Sequence, residues 1–148
     1  MAGIKDIHNT MFQETIMVNE NIISDTVTLS TIIDTVKFYG HEFLITGNEI
    51  LDGEYVISIQ EGNEVDDEAT PTVITDGATA DSEDILATLS NLTLTVAETG
   101  LTTRLGYIGV KRWLRVEITS TLTSSGGTFN VLSVQENPRK AETEDSVS

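Results

Sequence analysis

The chain has 148 residues, of which 39% are hydrophobic, and carries a formal net charge of −16 from 24 acids against 8 bases. That length suits one domain with a single core, because a chain of about 150 residues buries roughly 68–70% of its unfolded surface. The absence of cysteine excludes disulfides and zinc–thiolate sites. The acidity sets the protein against free nucleic acid and anionic membrane surfaces, so neither is expected as a partner.

No run approaches the ~18 consecutive apolar residues of a membrane span. Met1 to Asp6 lacks a charged stretch leading into an apolar one, so the expectation is a protein made and used in solution, in a cytoplasm.

In chain order, residues 1–25 read as an N-terminal arm, because Ile7, Met11, Phe12, Ile16 and Val18 are too widely spaced for a complete layer. Residues 26–136 carry the domain. Val27 to Thr31 alternates, with Ile33 in phase; Tyr55, Ile57 and Ile59 share a face; Leu92 to Val96 is the cleanest alternation; Leu114, Val116 and Ile118 alternate with Arg115, Glu117 and Thr119. Such period-2 runs, rich in Val, Ile and Thr, predict antiparallel strands with one buried face.

The punctuation agrees. Gly47-Asn48, Asp52-Gly53, Asp76-Gly77, Thr99-Gly100 and Ser125-Gly126-Gly127 are turn signals. Residues 119–122 and 128–134, joined by Ser124 to Gly127, are expected to pair as a hairpin. Asp81 to Asp84 ahead of Ile85, Leu86 and Leu89 predicts one or two helical turns. The fold class is therefore all-β, an antiparallel β-sandwich or jelly-roll of about eight short strands with at most a short helical turn. Residues 137–148 form a polar tail.

Chemistry-bearing patterns are scarce. Neither His8 nor His41 belongs to an HExxH, no serine sits in GxSxG, and neither GxxxxGK[ST] nor GxGxxG occurs. Paired-acid glycoside hydrolysis needs two rigid carboxylates in an aromatic-lined cleft, whereas these acids crowd into loops. Glu61, Glu64, Asp66, Asp67 and Glu68 have the oxygen ligands for calcium but lack the alternation and central glycine of an EF-hand loop. A solvated loop is the simpler reading. No enzyme activity, metal or cofactor is expected.

The bases, by contrast, cluster: Arg104, Lys111, Arg112 and Arg115 surround Leu105 to Gly109. Alternation puts Lys111, Trp113 and Arg115 on one side of a strand, opposite Leu114 and Val116. Either Trp113 is shielded under a loop while the bases pair with surplus acids, or these residues form a contact surface, since Trp and Arg are favoured interface anchors. The candidate partner-binding residues are Ile7, Met11, Phe12 and Ile16 on the arm, with Arg104, Tyr107, Lys111, Trp113 and Arg115.

Gly106-Tyr107-Ile108-Gly109-Val110-Lys111-Arg112-Trp113-Leu114-Arg115-Val116 resembles the GYxGxKRYxRV signature of small tailed-bacteriophage virion proteins of the capsid decoration, or cement, type. Ile33-Asp34-Thr35, then Asp52-Gly53-Glu54-Tyr55 through Gln60-Glu61, and Val134 to Arg139 are similar to that family's further segments in the same order. Trp113 stands where the family usually has tyrosine, and the acidic loop after Glu61 lacks its common Ser-Asp. The resemblance implies a virion protein on the capsid surface, synthesised in a host cytoplasm. Its expected partners are the major capsid protein or another virion protein, and further copies of itself in a homo-oligomer, a trimer among the options. A neck, tail or fibre-base component is the alternative. A carbohydrate-binding module, with Trp113 and Tyr107 as its platform, is a further one.

Overall fold

The computed structural model describes residues 11–87 and 92–138. The strands are β1 (Met11–Ile22), β2 (Val27–Leu29), β3 (Ile33–Asp34), β4 (Phe38–Ile50), β5 (Glu54–Gly62), β6 (Ala78–Thr79), β7 (Ile85–Ala87), β8 (Thr93–Leu94), β9 (Thr102–Tyr107), β10 (Trp113–Thr121) and β11 (Gly127–Pro138). Their pairing is antiparallel throughout. One sheet runs β1-β11-β4-β9-β7; the other runs β2-β10-β5-β6, with β3 also on β10 and β8 also on β5.

The pairs are nested: β1 with β11, β2 with β10, β4 with β9, β5 with β8. A long hairpin rolled up on itself gives this order, which is the jelly-roll. The expected all-β sandwich is therefore what the chain forms, with eleven strands among the described residues, some of only two or three residues and others of 12 or 13.

The core follows from alternation. Tyr55, Ile57 and Ile59 of β5 and Leu114, Val116 and Ile118 of β10 face Phe43 and Ile45 of β4, Leu105 of β9 and Phe129 and Val131 of β11 in one buried cluster. Tyr55 packs its ring on Phe129 at 4.7 Å between centroids and donates its hydroxyl to the Asp52 carbonyl at 2.9 Å. An aromatic with a satisfied polar tip can lie fully buried.

Several sequence expectations are corrected. Residues 11–22 are not an arm but β1, an edge strand held along its length by β11. Register shifts between Thr15 and Met17 and between Met17 and Glu20 break the period-2 pattern, and Asn19 has φ 46°. The bulges bring the consecutive Ile16 and Met17 both into the core. Ile7 lies outside the described residues.

The expected hairpin of β10 and β11 is instead a corner. β10 belongs to one sheet and β11 to the other, and Gly126, at φ 90°, turns the chain between them. Gly47 is not a turn but sits inside β4, opposite Phe129 at a bulge. The alternating Leu92 to Val96 gives only a two-residue strand, because Thr95 and Glu98 form a capping box that starts a 3₁₀ turn at Val96–Glu98. The turn expected after Asp81 is a 3₁₀ turn at Ser82–Asp84; Leu89 lies outside the described residues.

Ile16→Ala is expected to lower the unfolding free energy by about 2–5 kcal/mol, the usual cost of emptying a core site. Urea unfolding checks this, and an unchanged midpoint would return residues 11–22 to the status of an arm.

Candidate functional site

One end of the sandwich collects the segments that the sequence singles out. The connection from β9 to β10, residues 108–112, crosses from one sheet to the other there. Buried or half-buried backbone at such a crossing needs partners. Thr35, just after β3, supplies two: its N–H donates to the Arg112 carbonyl at 2.9 Å and its hydroxyl to the same oxygen at 2.7 Å. Asn63 accepts from Arg112 N at 3.2 Å, and Ile108 N donates to the Asp84 carbonyl at 2.8 Å.

Tyr107 is the pivot of this crossing. It is buried, its hydroxyl donates to Glu61 Oε1 at 2.7 Å, and it accepts from Lys111 N at 3.0 Å. Burial first, and the neighbouring Glu61 second, push its hydroxyl above the ordinary tyrosine range, so it remains a donor. Gly109 is required by the same packing, since a Cβ there would lie 2.6 Å from the Tyr107 ring carbon Cζ. The spacing of Gly106-Tyr107-Ile108-Gly109 is thus the geometry of a loop folded over its own tyrosine.

Arg112 pairs with Asp34 through two bonds of 2.9 Å, lies 3.7 Å from Glu68, and places its guanidinium 4.6 Å over the Trp113 ring. Burial raises the Asp34 carboxyl, but Arg112, the Val36 N–H and Lys37 together bring it below the ordinary value. Arg104 on β9 forms a two-bond pair with Glu42 of β4 at 3.0 and 3.1 Å, on the surface.

Trp113 and Arg115 do lie on the strand face opposite Leu114 and Val116, yet that face is covered. Trp113, 2% exposed, packs with Ile32, Ile74 and Val65 in a second small core. Its Nε1 has no hydrogen-bond partner among the described residues. Arg115, 8% exposed, donates to Gln60 Oε1 at 2.6 Å and to the Thr72 carbonyl at 3.2 Å, and burial lowers its pKa from the ordinary value. Neither residue is an exposed contact anchor; both hold down the acidic loop of residues 63–77. With Tyr107 and Trp113 buried, the aromatic platform expected of a carbohydrate-binding module is not presented.

The acidic loop builds itself from its own carboxylates. Asp66 accepts from Thr72 through both hydroxyl and N–H and from Val73 N, and Asp76 accepts from Asn63 N and Glu64 N at 2.9–3.0 Å. Both carboxyls lie below the ordinary range for that reason. Among the described residues no group of three or more His, Asp or Glu is arranged to hold a metal ion. His41 Nδ1 meets Gln135 Oε1 at 3.0 Å, and Gln135 reaches the Asp34 carbonyl at 3.4 Å.

What this end exposes was not singled out by the sequence. Val36, Tyr39, Ile108 and Val110 face solvent, Val110 with 94% of its surface exposed. Phe12 of β1 stacks on Phe38 at 6.0 Å between centroids and is itself partly exposed. Shallow concavities adjoin one another here; the largest, about 450 Å³, is lined by Tyr39, His41, Glu42, Arg104, Tyr107 and Ile108. Of the predicted contact residues, Met11, Phe12, Arg104 and Lys111 reach this surface, whereas Ile16, Tyr107, Trp113 and Arg115 lie beneath it. The available signal was Val110 itself, an apolar residue between Gly109 and the bases Lys111 and Arg112.

No protein-family model matches the chain, and no curated protein matches it. Among solved structures it is similar to the SPBc2 prophage-derived protein YomS, at 11% identity over 84% of this chain and 95% of that one, with a TM-score of 0.49. Two structures of infectious bursal disease virus, strains Gx and Gt, score 0.28 and 0.24 at 9% and 14% identity. They match 91% and 89% of this chain, which spans 42% of each viral chain. No helix among the described residues is long and apolar enough to cross a membrane.

Because the folded pKa values of Asp34, Asp52, Asp66 and Asp76 are depressed, their stabilisation is present above the unfolded carboxylate value, about 3.9, and is lost as pH falls through the folded values. The melting temperature is therefore expected to fall on acidification below about pH 4. Asp76→Asn should flatten that part of the profile. Calorimetry between neutral and acidic pH decides it, and an identical acid-limb slope in the variant would remove Asp76 from the account.

Proposed function

We propose that this chain is a structural protein of a tailed-bacteriophage particle, a decoration protein bound to the outer surface of the major capsid lattice. The observation that carries the reading is spatial. The separate sequence segments that resemble the decoration family, Ile33 to Thr35, Gln60-Glu61 and Gly106 to Val116, touch one another: Asp34 pairs with Arg112, Thr35 caps the same loop, and Glu61 receives the Tyr107 hydroxyl. A resemblance borne by short motifs gains weight when those motifs build one local structure.

The role is mechanical rather than catalytic. Asp34, Glu42, Asp66 and Asp76 at this end are occupied with backbone groups and guanidinia, and exposed Val36, Tyr39, Ile108 and Val110 stand beside the exposed acids of the 63–77 loop. Jelly-rolls serve viral shells, lectins and cupins alike, so the fold supplies no function by itself. A decoration protein needs a stable interface on adjacent capsid subunits, of about 1,600 Å² for a standard-sized one, and repetition over a lattice adds avidity.

Imaging purified particles with the bound protein tests the reading. Density over the whole head supports it, whereas a single ring at the neck, tail or fibre base replaces it with the alternative placement. Residues 2–10, the part of the expected arm outside the described residues, are the segment to delete, because a longer deletion would remove β1. Occupancy on heads is expected to fall with that deletion, and undiminished occupancy would exclude the segment from the contact.

A further inference from the structure

The end of the sandwich that carries the 108–112 loop is also where the first and last described strands meet the rest of the chain. Met11 pairs with Glu136 and Phe38 with Pro138, so residues 1–10 and residues 139–148 both join the fold there. Neither segment is among the described residues. Where residues 1–10 join, a groove of about 330 Å³ opens between β1 and the β3–β4 connection, lined by Phe12, Asp34, Val36, Lys37, Phe38 and Gln135. Its walls are more apolar than those of the concavities beside it. Phe12 stacks on Phe38, yet Phe12 and Val36 each remain 45% exposed.

The polar groups of the groove already have partners. Asp34 is held by Arg112 through two bonds of 2.9 Å, and Gln135 meets His41 Nδ1 at 3.0 Å. What the groove offers an occupant is therefore the apolar surface of Phe12, Val36 and Phe38, from which a seated apolar side chain would release water.

Two segments of the chain reach this groove, and their composition separates them. Residues 139–148 carry Glu142, Glu144 and Asp145 against Arg139 and Lys140, with Ala141 and Val147 as their apolar residues. They would bring surplus negative charge to an end where Glu64, Asp67 and Glu68 already stand exposed. Residues 1–10 balance Lys5 against Asp6 and hold Ile4 and Ile7. Ile7 is four residues from Met11, at most about 14 Å of extended chain, and the groove begins at Phe12. A tether that short sets an effective concentration in the mM range, an advantage that no separate molecule shares.

We propose that residues 1–10 fold back on the chain's own end, with Ile7 seated in the groove of Phe12, Val36 and Phe38. Val36 also lines the next concavity, with Tyr39 and Val110, so the apolar surface continues toward the reach of Ile4. The contact is intramolecular, and it makes the segment part of the surface that this end presents. A partner then meets sandwich and segment together. The inference goes beyond the capsid reading and is tested on the free protein, so that either can fail without the other.

Trypsin cleaves after lysine, and a seated segment shields the Lys5–Asp6 bond. The cleavage rate of that bond in the full chain, followed by mass spectrometry, is compared with the rate in a free peptide of residues 1–12. The parent is expected to be protected about tenfold or more. Ile7→Ser and Val36→Ser, each referred to the peptide of matching sequence, should bring the protection close to one. The double variant should lose nothing further, because both substitutions remove the same contact. Val36 is exposed and Ile7 lies outside the described sandwich, and unchanged circular dichroism establishes that the variants fold. A parent cleaved as fast as the peptide, or variants protected like the parent, would overturn the proposal. So would protection that falls on dilution, because the segment would then be seated on a second copy.

Discussion

Each time the chain passes from one sheet to the other, it carries backbone N–H and C=O groups away from any ladder, and the structure rests on how these are satisfied. At one end Asp52 gathers three successive N–H groups of the β10–β11 corner, Asp25 takes a fourth, and Ser120 ties the β1–β2 connection through its hydroxyl to the Ser24 and Thr26 carbonyls at 2.7 and 3.1 Å. At the other end Thr35, Asn63 and Tyr107 do the same for the β9–β10 loop. Unmade bonds at such positions each cost about 1–3 kcal/mol. Short polar side chains at the corners are therefore as necessary to the sandwich as the isoleucines inside it.

This solution accounts for part of the acidity. Asp25, Asp34, Asp52, Asp66 and Asp76 all accept from backbone N–H groups. These carboxylates are structural, and their negative charge is the by-product of using aspartate as a cap. The few bases are concentrated where loops need a cation: Arg112 across to Asp34, and Arg115 beneath the acidic loop. Lys37 and Lys111 make no ion pair within 4.0 Å among the described residues but help hold the Asp34 and Asp76 carboxyls ionised.

The fold was legible where one face alone decides a residue's place. Leu114, Val116 and Ile118, or Tyr55, Ile57 and Ile59, alternate because one side of each strand meets the core. The sequence misleads where a second layer or a distant partner intervenes. Trp113 lies on the polar face as alternation predicts, but a loop from residues 63–77 covers that face. A Gly-Gly corner has the same local chemistry whether it closes a hairpin or changes sheets; what distinguishes the two is pairing with strands dozens of residues away. β1 was hidden because its bulges scramble the period. The candidate site divides in the same way. The motif residues were visible, but that they form the buried frame, with Val36, Tyr39 and Val110 as its outer skin, depends on packing that spacing does not encode.

The nesting of first strand with last has a consequence for how the chain is born. β11 lies between β1 and β4, bonded to both. During synthesis β1 emerges early and must wait for residues 127–138 before it has its native partner strand. The β4-β9-β7 part of the first sheet can pair earlier, but the sheet can be completed only when translation has passed the final strand, and pairings that span so much of the chain belong to the slowly folding topologies. The nascent chain's charge, repelling other nascent chains through that wait, protects a strand that still lacks its partner.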